Sequence, residues 1–185
     1  MEQPLHLVPQ PQTVERRRGH LALTPDTLIC LPASADEDDL FAARQLQAEM
    51  VEVADDLASQ QGLLISPKMY RAFIKPAERR LYALIHEKAP EAALFRHCDG
   101  AVFDLLGDFI EVGVTVFNPV QTSAKGMDAD RLKATYGERL TFHGAIEHIE
   151  GDVSVETVVA EVKDRIDRLG QSGGYVLASC NHMID

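Results

Sequence analysis

Short apolar runs that each end in polar residues, separated by stretches of helical periodicity, constrain this chain more than any other feature. Four of them stand out: Ala92–Phe95, Val114–Phe117, Leu140–Phe142 and Tyr175–Ala178. Each is too short for a helix, and the stretches between them are too long for hairpin turns. Strands joined by helical crossovers must run parallel, because a parallel pair needs a dozen or more connecting residues. The runs end in His97-Cys98-Asp99-Gly100, Asn118-Pro119, His143-Gly144 and Cys180-Asn181-His182. In a β/α barrel such ends gather at the catalytic mouth. The expected fold class is therefore α/β, a partial (β/α)8 TIM barrel of parallel strands, about half of a full one, preceded by a small α+β segment.

The helical patterns between the runs carry their own punctuation. Ser66 and Pro67 stand at the cap and first position of a helix through Lys88, which Pro76 should bend or split. Val102–Val112 and Asp128–Tyr136 are followed by Gly113 and Gly137, read as left-handed stops. Ser154 caps Val155–Leu169, whose Val158, Val159, Val162, Ile166 and Leu169 form one apolar face read as core, with Gly170 as terminator. VEVADDL, after Met50, is a further short strand ending in two acids.

Residues 1–50 follow a different rule. Pro4, Pro9, Pro11, Pro25 and Pro32 break up short apolar stretches, which suits strands and turns. Asp36 can cap a helix bearing Leu40, Phe41, Leu46 and Met50. The expected division is a β-rich segment with one helix over 1–50 and a partial barrel over 51–185.

Bulk properties exclude several function classes. A net charge of -11 works against binding a phosphate backbone, so no nucleic-acid partner is expected. No apolar run approaches the roughly 20 residues that span a bilayer, and the N-terminus lacks signal-peptide regions, so no membrane partner and a cytoplasmic location are expected. Cys30, Cys98 and Cys180 are too few and scattered for a disulfide framework.

From about Val51 onward, DDLASQQGLLISPKMYRAFIKP, HCDGAVFDLLGDFIEVGVTVFNPVQ, AKGMDADRLKATYGERLTFHGAIE and GGYVLASCNHMID follow one another in an order and spacing that resemble the C-terminal part of the uroporphyrinogen decarboxylase (URO-D) superfamily, which includes the corrinoid-dependent methyltransferases. The resemblance implies a β/α barrel acting on a tetrapyrrole or on methyl groups carried by one. The partner would be a tetrapyrrole or corrinoid-type small molecule or its carrier protein. Decarboxylase-like chemistry would need no cofactor; methyltransferase-like chemistry would use Zn2+. The methyltransferase branch places His-x-Cys-Gly at the first strand end, whereas this chain has HCDG, with Asp99 where that cysteine stands. Pro-x-Pro, Gly19 and TPDTLICLP in residues 1–50 also resemble the opening of the non-catalytic N-terminal domain of family 20 glycoside hydrolases (β-hexosaminidases).

The site expectations combine both lines of reasoning. His97, Asp99 and Cys180 offer a nitrogen, oxygen and sulfur donor, a set that zinc accepts. His182 matches the histidine that the decarboxylases place near the last strand, and with Asp99 it would form the catalytic pair, moving protons near neutral pH. Asp55, Asp56, Asn118, Gln121 and Glu147 would line the substrate. Solvated loops explain many such residues equally well, and the pattern singles out no role for His143 or His148. A full barrel needs roughly 250 residues, so the expected function is URO-D-like decarboxylation of a tetrapyrrole carboxylate, impaired by truncation. Zinc-dependent corrinoid methyl transfer and a non-catalytic assembly module are the alternatives. Open sheet edges would favour a homodimer.

Overall fold

The computed structural model describes residues 29–32, 49–147 and 153–180. The proline-rich opening, the helix expected after Asp36, His148, Asn181 and His182 lie outside the described residues. In chain order the elements are β1 (Ile29–Pro32), β2 (Met50–Ala54), β3 (Ala58–Ser59), β4 (Gly62–Leu63), α1 (Pro67–Met69), a π-helical turn (Tyr70–Ile74) and α2 (Lys75–Lys88). They continue with β5 (Ala93–His97), α3 (Phe103–Val112), β6 (Val116–Asn118), α4 (Ala129–Tyr136), β7 (Thr141–Ile146), α5 (Val155–Leu169) and β8 (Tyr175–Ser179).

Six strands form one sheet in the order β1-β2-β5-β6-β7-β8, and every neighbouring pair is parallel. Among the described residues β1 lies at one edge and β8 at the other, so the sheet is not closed and the fold is a partial TIM-barrel-like α/β arrangement. β3 and β4 form a small antiparallel pair beside it. Each of α2 to α5 is the crossover between two successive strands of the sheet, as the spacing of the apolar runs requires.

The two faces of the sheet differ. Val51, Val53, Leu94, Phe117 and Phe142 join Leu81, Tyr82, Ile85, Leu105, Leu106, Phe109 and Leu132 in one core between sheet and helices. Burying each large apolar side chain contributes about 1.5–3 kcal/mol. Strand side chains alternate, so Glu52, His97, Asn118 and His143 stand on the other face, where they are only partly buried.

The helix-facing side also holds a buried ionic knot. Arg96 is 0% exposed; its Nη1 lies 3.0 Å from Glu78 Oε1, its guanidinium stacks 5.1 Å from the Phe109 ring centre, and its Nη2 donates to the Asp55 carbonyl. Tyr70 donates to the same Glu78 carboxylate. Asp108 on α3 accepts from both Arg71 and Lys75, tying the π-helical turn to that helix.

Helix ends follow the sequence in part. Ser66 Oγ accepts the Met69 amide at 3.2 Å and Ser154 Oγ the Thr157 amide at 3.2 Å. Pro76 does not interrupt its helix, which runs unbroken over residues 67–88; with no N–H to return to the preceding turn, it follows the π-helical turn, where Lys75 bonds to the Tyr70 carbonyl five residues back. Gly113 is left-handed at φ 113°. Gly137 and Gly170 are not: at φ −63° and −81° they stay right-handed, and a Cβ on Gly137 would lie 2.5 Å from the Lys133 carbonyl oxygen. The apolar face of α5 is also less buried than its pattern suggests. Leu169 is buried, but Val159 and Ile166 are 44% and 48% exposed, because α5 borders the open edge beside β8.

Candidate active site

The register of the sheet assembles the polar strand ends. Ala54 pairs with His97, His97 with Asn118, and Phe117 with Phe142, each one residue before Asn118 and His143, so His97, Asn118 and His143 share one row across three strands. His97 Nδ1 lies 2.7 Å from Asn118 Oδ1, and Asn118 Nδ2 lies 2.8 Å from His143 Nδ1. The His143 ring also meets Phe95 edge-on at 5.2 Å. Burial holds the His143 imidazole below its ordinary pKa, with Glu52 opposing.

Above this row, Asp56 and Asp99 flank His97. His97 Nε2 is 3.9 Å from Asp56 Oδ1 and 3.8 Å from Asp99 Oδ2, too long for direct hydrogen bonds. The three residues each offer a ligand atom within 4.8 Å of the others. The Asp99 amide donates to Asp56 Oδ1 at 2.9 Å, which fixes the two loops against each other. Asp99 Oδ1 is buried without a hydrogen-bond partner. Burial pushes the Asp99 carboxyl above its ordinary pKa, with His97 opposing and Asp56 reinforcing.

Gly100 lets this loop form. Its φ is +91°, and a Cβ there would sit 2.6 Å from the Ser59 carbonyl oxygen. Gln121 holds the loop from below: its Oε1 accepts from the Gly100 amide and from Gln60 Nε2, both at 2.7 Å. Gln121 thus spends its carbonyl on the scaffold, although the sequence suggested a substrate contact. Glu147 likewise binds the loop after β6, accepting from Thr122 Oγ1 at 2.8 Å, the Ser123 amide at 3.0 Å and the Ser123 hydroxyl. Arg165 reaches in from α5 to Thr122 Oγ1 at 2.7 Å. Asp55 is exposed and contributes backbone contacts, its amide to the His97 carbonyl and its carbonyl to Arg96.

The cysteines depart from the expected donor set. Cys180 lies outside the donor cluster, in which Asp56 takes the third position alongside His97 and Asp99. Its thiol donates to the Val120 carbonyl at 3.3 Å, and burial, aided by Glu147, pushes its pKa up to about 12. Cys98 faces the core, accepts the Leu57 amide at 3.3 Å, and is pushed by burial to about 11. The alternation of side chains along a strand thus keeps Cys98 away from the polar row. His143 is the residue that sequence reasoning passed over. Its signal was positional: the sequence placed His143-Gly144 at the end of an apolar run, although the strand continues to Ile146 and His143 lies within it.

A cavity of about 670 Å³ lies elsewhere, at the opposite ends of the strands, lined in part by Glu49, Arg79, His86, Glu91 and Thr115. None of the strand-end residues just described lines it.

What the donor cluster can do follows from its atoms. Two carboxylates and an imidazole nitrogen form an anionic oxygen–nitrogen donor set of a kind that divalent cations accept. The same carboxylates would repel an anionic substrate. Of the nearby arginines, Arg96 is buried against the helices and Arg165 is engaged with the loop after β6.

Three comparisons bear on relationship. No curated protein matches the chain. Among solved structures, a methyltransferase from Methanosarcina mazei superposes with a TM-score of 0.56 at 22% identity, covering 77% of this chain and 39% of that one. The chain thus spans about two fifths of that protein's length, and the likeness is one of fold. An N-acetylneuraminic acid (sialic acid) synthetase from Leptospira borgpetersenii serovar Hardjo-bovis gives a TM-score of 0.41 at 15% identity, covering 81% of this chain and 52% of that one. The family model described as uroporphyrinogen decarboxylase (URO-D) matches residues 40–184, most of the sequence. The chain belongs to the uroporphyrinogen decarboxylase (URO-D) family.

Proposed function

We propose that this chain carries the metal-holding part of a methyltransferase-type site, with Asp56, His97 and Asp99 as the protein donors to a divalent cation such as Zn2+. The single observation that carries this reading is the convergence of those three donor atoms within 4.8 Å, one of them beside a buried oxygen that lacks a partner. A bound cation would supply Lewis acidity, lowering the pKa of a thiol or water that acts as methyl acceptor. The chain's own residues do the rest. Asn118 orients His97, the Asp99 amide holds Asp56 in place, and Gln121 and Gly100 shape the loop that presents Asp99. A corrinoid or its carrier protein is the methyl source that fits this reading.

Decarboxylation of a tetrapyrrole carboxylate is the second reading, favoured by the family match and by a histidine beside a carboxyl of raised pKa, a pairing suited to proton transfer. The repulsion between the two rim aspartates and a polycarboxylate places it second.

The test is calorimetric titration of the metal-stripped chain with Zn2+, alongside an assay of CO2 release from uroporphyrinogen. Near-stoichiometric binding is expected, weakened 10- to 100-fold in Asp99→Asn or His97→Ala, by analogy with the loss that follows disturbance of a metal site's shell. No binding, or binding that both variants leave intact, overturns the reading. CO2 release by the metal-free chain would favour the second.

A further inference from the structure

We infer that Asn118 is a positioning residue whose one side-chain amide sets the proton-bearing nitrogen of two imidazoles, leaving His97 Nε2 bare toward Asp56 and Asp99 and placing the proton of His143 on Nε2.

Hydrogen-bond polarity ties the two rings to the amide. An amide oxygen can only accept and an amide nitrogen can only donate, while a neutral imidazole has one nitrogen of each kind. Asn118 Oδ1 stands 2.7 Å from His97 Nδ1, so that nitrogen must carry the hydrogen. The lone pair of His97 then sits on Nε2, the atom facing both aspartates at 3.8–3.9 Å. Asn118 Nδ2 stands 2.8 Å from His143 Nδ1, so that nitrogen must be bare and the proton must sit on Nε2. The amide couples the two rings: turning it over would exchange the tautomers of both together.

Asn118 closes β6 and pairs in register with His97, and Phe95 packs edge-on against the His143 ring. A serine or threonine at this position could rotate its hydroxyl and leave the two tautomers independent; an amide, which has one acceptor and one donor end, ties them together. The outcome is a prepared lone pair at His97 and a fixed neutral N–H donor at His143, on the face of the sheet opposite the core. The consequence for metal affinity rests on the proposed function, whereas the tautomers themselves do not.

Long-range 1H–15N spectra of the metal-free full chain at pH 9, above the ordinary imidazole range, read each tautomer directly. Wild type is expected to show His97 protonated on Nδ1 and His143 on Nε2. In Asn118→Leu, His97 is expected to move toward the Nε2-protonated form that a free imidazole prefers, with Zn2+ affinity falling 10- to 100-fold. In Asn118→Asp, whose carboxylate can only accept, His97 should keep its state while His143 moves its proton to Nδ1. The aspartate variant decides the matter should the leucine variant fail to fold. A wild-type His97 protonated on Nε2, or a His143 unchanged in Asn118→Asp, overturns the inference. Correct tautomer shifts without any Zn2+ binding would leave it standing and overturn the proposed function instead.

Discussion

The thiol of Cys180 illustrates how a single residue's environment decides its chemistry. A free cysteine has a pKa of about 8.5 and a few per cent of thiolate at neutral pH. Burial, aided by Glu147, raises Cys180 to about 12, and its hydrogen is given to the Val120 carbonyl. Its thiolate fraction at pH 7.5 should then be lower on the order of 10³-fold than that of a free cysteine. Iodoacetamide labelling followed by mass spectrometry of the Cys180 peptide should be correspondingly slow in the native chain and ordinary in urea; equal rates would refute the placement. The linkage has a definite sign. The folded pKa is raised, so the contribution to stability is complete below about pH 8.5 and is lost as pH climbs toward 12. Thermal melts between pH 9 and 11 should therefore fall less steeply in Cys180→Ala. The sequence placed Cys180 at a strand end correctly, but the hydrogen bond that occupies its thiol comes from a loop 60 residues earlier.

At the scale of elements, α2 is held to the sheet by charge as well as by apolar burial. Glu78 is 4% exposed and compensates Arg96, which is fully buried on β5. Removing one partner leaves the other charge unpaired in the core, which typically costs about 3–5 kcal/mol. Glu78→Ala should lower the urea midpoint accordingly, and Glu78→Ala with Arg96→Met should recover much of the loss. A single-variant effect below about 1 kcal/mol would show that the knot is hydrated or loosely made. This coupling was invisible in sequence, because residues 78 and 96 read as an ordinary helix acid and an interior strand base. The caps at Ser66 and Ser154 and the stop at Gly113 were legible, since each acts through neighbours within a few residues. Gly170 ends its helix as read, whereas Gly137 was misread as left-handed, because a glycine after a helix signals its end without specifying the geometry.

For the whole molecule, the open sheet is the dominant fact. Among the described residues β8 ends the strand order, Val176 and Leu177 on it are 45% and 46% exposed, and Val155, Val159 and Ile166 of α5 are exposed beside it. An edge strand with apolar neighbours invites pairing. We expect a second copy to meet this edge, opposed by the repulsion of chains each carrying a net charge of -11. Association should then strengthen with salt, as the Debye length falls from about 10 Å at 0.1 M to about 3 Å at 1 M. Sedimentation velocity should show a 20.4 kDa species giving way to a dimer as salt rises, and Val176→Lys should suppress the change. A monomer at all salt concentrations would remove the edge as an interface.

The amino-acid sequence alone determined the alternation of strand and helix, the parallel sheet that follows from it, and the delivery of polar residues to strand ends. These are local or periodic properties, fixed by side-chain pattern and connection length. Tertiary structure decided which strand ends meet. Register set His97, Asn118 and His143 in one row, and loop packing brought Asp56 rather than Cys180 to Asp99. Distances between residues tens of positions apart depend on how the sheet and loops pack together, and no short-range pattern encodes them.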